Sequence, residues 1–242
     1  MTNALVYSVN GNQKYVDNMV NSINSFYANN NLELLKTIHP FILTDFAALD
    51  LSKVARGIPA KVVDTFSFDY SNVRFKTEND MLRFTKSAYY RWEIFNNPLF
   101  KEFDNVLYLD CDTVVNAPLD ELFTIRKVPK IRMVEEIKRD WIVKRYEELG
   151  LKLKHYCNSG VILFNPKWFS GRLLTRFFQR LVYEAVERPE RYADQDSINQ
   201  ALATPEFADL LELLPGEYNY EGFTKQSMTP GSTVKIQHNV GQ

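Results

Sequence analysis

Asp110 and Asp112 stand two residues apart at the end of the apolar run Val106-Leu-Tyr-Leu109. In an extended chain residues i and i+2 point to the same side, so the two carboxylates can converge on one cation just past a buried strand. Oxygen ligands suit Mg²⁺ or Mn²⁺, and such an ion bridges a diphosphate and neutralises charge on a leaving group. An Asp-X-Asp pair alone is a weak signal, since two solvated acids in a loop read the same way. The core-like run before it, and Thr113-Val-Val115 after it, strengthen the metal reading.

The elements around the pair fit that use. Strands are expected at 4–9, 41–43, 61–63, 106–109, 161–164 and 234–238, and helices at 15–27, 46–55, 80–95, 173–187 and 194–203. The helix at 15–27 shows its buried face at Val16, Met19, Val20, Ile23 and Phe26, spaced by three and four. Alternating strands and helices argue for an α/β fold with a mostly parallel twisted sheet flanked by helices. Ligands of such sheets bind beyond the carboxyl ends of the strands, where Asp110 lies. Residues 126–154 are rich in Lys and Arg with Trp141 and Tyr146 interleaved. That run reads first as the solvated face of a helix, and second as a flap that attracts an acidic or phosphate-bearing acceptor.

Composition narrows the class. The 242 residues are 45% hydrophobic, enough for a sizeable core, and show no linker, repeat or clear boundary. A net charge of −1 lacks the basic footprint of a nucleic-acid binder. With two cysteines, Cys111 and Cys157, a disulfide framework is not expected; both read as buried thiols in a reducing, cytoplasmic setting. No run approaches the ~20 apolar residues of a membrane span. His155 and Ser159 lack an identifiable acid to complete a hydrolase triad.

The motif also resembles that of haloacid-dehalogenase-type phosphatases, which would make Asp110 a phosphoryl nucleophile and Asp112 an acid/base. Against this, about a hundred residues precede the motif and no Gly-Asp-X-X-X-Asp follows it. A larger set of segments resembles glycosyltransferase family 8, the glycogenin-like and lipopolysaccharide galactosyltransferase-like enzymes. In order these are Leu5–Ser8 with Asn10 and Tyr15, Phe84–Phe95, Val106–Asp112, Asn158–Asn165, Ala193–Asn199, Leu214–Asn219 and His238-Asn-Val-Gly241.

That resemblance implies a GT-A fold over residues 1–242, alone or as the N-terminal domain of a longer protein, with a nucleotide-binding N-terminal half. It implies a retaining, metal-dependent transfer from a nucleotide-sugar, chiefly a UDP-sugar, to a glycan, protein or lipid acceptor. Asp110, Asp112 and His238 would hold Mn²⁺ (or Mg²⁺). Asn10 and Tyr15 would flank the base, and Lys86 and Arg91 compete for the cationic position facing the donor, with Arg83 on the surface. Asn158, Ser159 and Gly160 would border the donor sugar, and Asp194 and Gln195 would face the anomeric carbon. Asp196 and Asn199 are expected to stabilise the start of their helix. The sequence departs from the family at Val9-Asn-Gly-Asn-Gln13, where many members carry an acid, and after Gly241, where Lys-Pro-Trp is usual. The missing Lys leaves a non-catalytic nucleotide-sugar-binding module as a further alternative.

Overall fold

Every residue of β1 (Asn3–Ser8) is buried, as a strand covered on both faces must be. The computed structural model describes residues 1–46, 49–55, 57–75, 86–124, 127–136, 140–222 and 228–239. β1 pairs in parallel with β2 (Ile38–Leu43) and β4 (Asn105–Leu109), and β2 with β3 (Lys61–Val63). β4 is followed outward by β7 (Cys157–Phe164), β6 (Ile131–Glu135) and β8 (Leu211–Leu214), giving the order β3-β2-β1-β4-β7-β6-β8. β7 runs antiparallel to both neighbours; the other pairings are parallel. Pro40 lies where β2 has not yet met β3, so its missing N–H breaks no ladder there.

Alternation along the strands splits the core in two. Ala4, Val6, Val106 and Tyr108 face the side that holds Phe177, Leu181 and Ile198 of the helices Gly171–Glu187 and Ala193–Leu202. Leu5, Tyr7, Leu107 and Leu109 face Met19, Ile23 and Phe26 of the helix Gln13–Asn29. The sheet thus runs between two helical layers, with the carboxyl ends of β1 and β4 along one edge.

Three expectations are corrected. Among the described residues of 46–55 there is no helix: Asp50 accepts the Ser52 N–H at 2.9 Å and Asn24 the Ala55 N–H at 2.8 Å. Leu49, Leu51 and Val54 still pack partly on the core, so their apolar spacing was satisfied without helical hydrogen bonds. The expected helix at 80–95 is two short ones, Ser87–Tyr90 and Glu93–Asn96, residues 80–85 lying outside the described set. Residues 89–95 are buried all round, and bonds from Trp92 to Tyr89 and from Phe95 to Trp92 tighten the turn between the two. The basic segment, lastly, is more than a solvated helix face. It contributes the buried strand β6, where Arg132 pairs with Glu212 of β8, and then the helix Asp140–Glu148.

A separate antiparallel ribbon joins β5 (Thr113–Val115) to β9 (Ile236–His238), with Thr113 opposite His238. This short pairing brings the end of the chain to the Asp-X-Asp turn. No described helix is long and apolar enough to cross a membrane.

Candidate active site

β4 ends at Leu109, and the chain turns at once: Asp110 N–H donates to the Gly160 carbonyl of β7, and Thr113 N–H returns to the Asp110 carbonyl. Both aspartates are thereby lifted to the carboxyl edge of the sheet, partly exposed. The ribbon pairing then sets His238 beside them, its Nε2 3.2 Å from Asp112 Oδ1 and 3.6 Å from Asp110 Oδ2. One ligand atom from each of the three lies within 4.8 Å of the others, a spacing suited to one divalent ion. One imidazole with two carboxylates suits Mn²⁺ at least as well as Mg²⁺.

Burial alone would depress the His238 pKa, but the hydrogen bond to Asp112 and the nearby Asp110 and Glu221 raise it above its ordinary value. Burial works against an ionised Asp112 as well; the His238 contact outweighs it and lowers the Asp112 pKa.

Behind the aspartates lies a buried guanidinium. Arg91 Nη2 is 3.0 Å from Asp110 Oδ1 and its Nε 3.0 Å from Asp194 Oδ2. Its Nη1 donates to the Ser159 carbonyl at 2.6 Å and to Ser159 Oγ at 3.0 Å. The group sits 4.8 Å from the centre of the Tyr108 ring, whose hydroxyl donates to Asp110 Oδ1 and meets Ser8 Oγ. Asp194 accepts from Ser159 Oγ at 2.9 Å. Burial pushes the Asp194 pKa up to about 6 despite the opposing pull of Arg91.

Asp194 and Gln195 open the helix Ala193–Leu202, whose first residue has φ 47°, an uncommon backbone state for a residue other than glycine. Gln195 Oε1 accepts the Ser159 N–H at 3.2 Å, and its Nε2 donates to Glu136 and to the Tyr156 hydroxyl. Asp196 accepts the Tyr192 N–H, bracing the helix start as expected. Asn199 does otherwise. It accepts the Cys157 N–H at 2.7 Å and donates to the Cys157 carbonyl at 2.8 Å, standing in for a neighbouring strand at the start of β7.

The structure therefore joins Arg91, Asp110, Asp112, Ser159, Gly160, Asp194, Gln195 and His238 in one contact network. Of the two competing cations, Lys86 is exposed and Arg91 is the one inside. Asn158 directs its side chain to Gly160, Asn219 and Glu221. Asn10 accepts the Asn12 N–H just past β1, and Tyr15 is 38% exposed on the first turn of its helix. Cys157 is buried and Cys111 half-buried. His155 pairs with Glu135, and Ser159 with Arg91 and Asp194, so no Ser–His pair forms. Arg83 and Gly241 lie outside the described residues.

Sequence reasoning missed Tyr108, Glu136, Tyr156, Asn219 and Glu221. Asn219 lay within the quoted Leu214–Asn219 run but received no role. Glu221 is buried among acids, and its pKa is pushed up to about 8 by that burial.

A mostly parallel sheet with this Asp-X-Asp turn at its carboxyl edge is the GT-A arrangement. The model of glycosyl transferase family 8 matches residues 6–240, and the chain belongs to that family of glycosyltransferases. A lipopolysaccharide 1,2-glucosyltransferase of Escherichia coli is 31% identical over 136 residues, 55% of this chain and 38% of the relative; the match spans well under half of that enzyme. The galactosyltransferase LgtC, solved with donor and acceptor sugar analogs, superposes with a TM-score of 0.67 at 17% identity over 98% of this chain and 87% of its own. Mouse xyloside xylosyltransferase 1 gives 0.63 at 16% identity, over 99% and 98%.

The phosphatase alternative falls with this membership. The geometry agrees, because Asp110 has both oxygens engaged, by Tyr108 and Arg91 on one and by Arg91 and His238 on the other.

Proposed function

We propose that this glycosyltransferase moves a hexose or pentose from a nucleotide-sugar, foremost a UDP-sugar, to a hydroxyl of a glycan, protein or lipid acceptor, with retention at the anomeric carbon. The observation that carries the reading is the convergence of Asp110, Asp112 and His238 at the carboxyl edge of the sheet. These three would hold Mn²⁺ or Mg²⁺, which when bound neutralises charge on the departing diphosphate.

The chain's own residues prepare the rest. Tyr15 and Asn10 receive the base beyond β1, Tyr15 by stacking. Arg91 fixes the rotamers of Asp110 and Asp194 from below, so the carboxylates need no reorganisation when donor arrives. Asp194 and Gln195, on a helix start braced by Asp196, hold the reacting centre against the small residues Ser159 and Gly160. On the acceptor side, Trp141 is 38% exposed and its ring lies 5.7 Å from that of Tyr192, one helical turn before Gln195. That aromatic pair is suited to stacking against a sugar. The names of the relatives, a lipopolysaccharide glucosyltransferase and a galactosyltransferase, support glucose and galactose as first donors to try. We read residues 1–242 as one catalytic domain working in the cytoplasm.

The test is release of nucleoside diphosphate from a panel of UDP- and GDP-sugars with Mn²⁺, Mg²⁺ or chelator, with Asp112→Asn as control. Metal-dependent turnover of one donor, lost in the variant, is the expected result. Binding of donor without release of diphosphate under any condition would overturn it in favour of a non-catalytic binding module.

A further inference from the structure

Around His238, on the side away from the aspartates, lies a connected set of hydrogen bonds whose direction can be worked out from one end. The Gly160 backbone N–H can only donate, and it points at the Asn158 side chain at 2.7 Å. The atom it meets must therefore be the Asn158 carbonyl oxygen, Oδ1. That fixes the other end of the amide, so Nδ2 donates to Glu221 Oε1 at 2.8 Å. The same Oδ1 also contacts the Asn219 amide at 2.8 Å, and a carbonyl oxygen can meet only a donor there, so that atom is Asn219 Nδ2. Asn219 must then turn its own Oδ1 toward the imidazole, where it lies 2.9 Å from His238 Nδ1. Glu221 Oε1 stands 3.5 Å from the same ring nitrogen, a second acceptor on that side. These acceptors hold a proton on Nδ1, while Asp112, 3.2 Å from Nε2, offers an acceptor on the other side until a cation takes its place.

From this geometry we infer that Asn219, held by Asn158 and the Gly160 N–H, is a positioning residue that keeps Nδ1 of His238 protonated, so that Nε2 is the nitrogen offered to a cation between Asp110 and Asp112. The relay rests on the reading of His238 as a metal ligand, and it explains why a residue so far along the chain can serve there. A three-residue strand such as β9 fixes where the ring is attached. It does not fix which nitrogen faces the aspartates or which nitrogen carries the proton. Asn219 is fully buried and Asn158 nearly so, so water competes little for these bonds. Gly160 supplies both the first donor of the relay and, through its missing side chain, the space for the ring. Asn158, placed beside the donor sugar on resemblance, has both ends of its amide engaged in the relay.

The experiment has two readouts on the whole chain. The first is the nitrogen chemical shifts of His238 in wild-type protein with diamagnetic Mg²⁺ present, at a pH where the ring carries one proton. The second is Mn²⁺ affinity by calorimetry for wild type, Asn219→Leu and Asn219→Asp. Wild type is expected to show Nδ1 protonated. Asn219→Leu should lose the tautomer preference and bind Mn²⁺ about 10- to 100-fold more weakly. Asn219→Asp keeps an acceptor toward Nδ1 and should recover most of that loss. A wild-type ring protonated on Nε2, or an Asn219→Leu protein that binds Mn²⁺ as tightly as wild type, would overturn the inference; the wild-type spectrum decides even where Asn219→Leu fails to fold. Wild type that shows the Nδ1 proton but binds no Mn²⁺ would leave the relay standing and remove the metal reading instead.

Discussion

The ring of His238 fills the space that a side chain on residue 160 would occupy: a Cβ built on Gly160 comes within 2.7 Å of His238 Nδ1. Real contacts are essentially never that close, and His238 has little freedom to withdraw, being paired through β9 to Thr113 and bonded through Nδ1 to Asn219. Gly160→Ala should therefore displace the imidazole from Asp112. Overpacking of this kind costs about 1–3 kcal/mol. The expected outcome is a modest fall in the urea midpoint together with a much larger fall in Mn²⁺-stimulated diphosphate release. Unchanged metal stimulation would mean that the ring repacks without losing its place.

The same relationship shows what the sequence could and could not tell. The candidate metal set was legible because Asp110 and Asp112 are two apart at a strand end, and because His238 closes a family-like run. The role of Gly160 was read as room for a sugar; the neighbour that uses the room is 78 residues later in the chain, and no local pattern encodes that approach. Strands buried throughout, such as β4, announce themselves by hydrophobicity. β6 and β8 were missed because Arg132 and Glu212 interrupt their apolar runs, and those two charges are compatible with a sheet only because they pair across it. The segment 46–55 failed for the opposite reason, since its apolar spacing suits a helix while Asp50 diverts the backbone into a turn.

Arg91 and Lys86 compete for one cationic position on the family resemblance, and burial favours Arg91. Removing one partner of a buried ion pair leaves the other charge uncompensated, at about 3–5 kcal/mol. Arg91→Ala should destabilise the protein on that scale and abolish turnover, since Asp110 and Asp194 lose their common partner. Arg91→Lys keeps the charge but cannot span Asp110, Asp194 and Ser159 together, and should retain more stability than activity. Lys86→Ala, at an exposed position, should leave the melting temperature within a degree or two, by the usual ±0.5 kcal/mol of surface changes. Parallel melts and initial rates on the three variants check this.

Stability in chelator should fall as pH rises from the acidic side toward the alkaline. Burial raises Asp194 and Asp196 from 3.8 to about 6, and Glu221 from 4.5 to about 8. Folding therefore favours their protonated forms, a contribution that is complete below the unfolded pKa values and lost as pH climbs through 6 and then 8. His238 acts in the same sense: its pKa is above 6.5, so its stabilisation is present below that value and disappears on deprotonation. Asp112 works the other way, but only as pH drops below its unfolded value of 3.8. Urea midpoints of metal-free protein across this range should peak on the acidic side of neutrality, and Glu221→Gln should flatten the decline nearest pH 8. A midpoint that rises through neutrality would contradict the burial of these carboxyls.

Tyr15 offers a test of the nucleotide end that does not touch the fold. It is more than a third exposed, so Tyr15→Ala should cost the fold little. If a base stacks there, about 1–3 kcal/mol of donor binding is lost. The signature is a raised donor KM with an unchanged melting temperature, recovered by Tyr15→Phe. Equal KM values for the wild type and Tyr15→Ala would remove the ring from the site.

Asn199 ties the helix that carries Asp194 and Gln195 to the start of β7, where Ser159 and Gly160 reside. Its amide accepts from the Cys157 N–H and donates to the Cys157 carbonyl, so Asn199→Ala leaves two buried backbone groups without this partner. Each such group costs about 1–3 kcal/mol. The loss should also be felt at the site, because Gln195 reaches Ser159 N–H from the first turn of that helix, and Arg91 and Asp194 both bond to Ser159. Asn199→Ala is expected to lower the urea midpoint and kcat together, while donor KM, which the proposed base site beyond β1 would set, changes little. Asn199→Asp keeps the acceptor for the N–H but loses the donor to the carbonyl, and should fall between the two. If kcat holds while stability drops, helix and strand keep their alignment through Gln195 and Ser159 alone, and Asn199 serves only the fold.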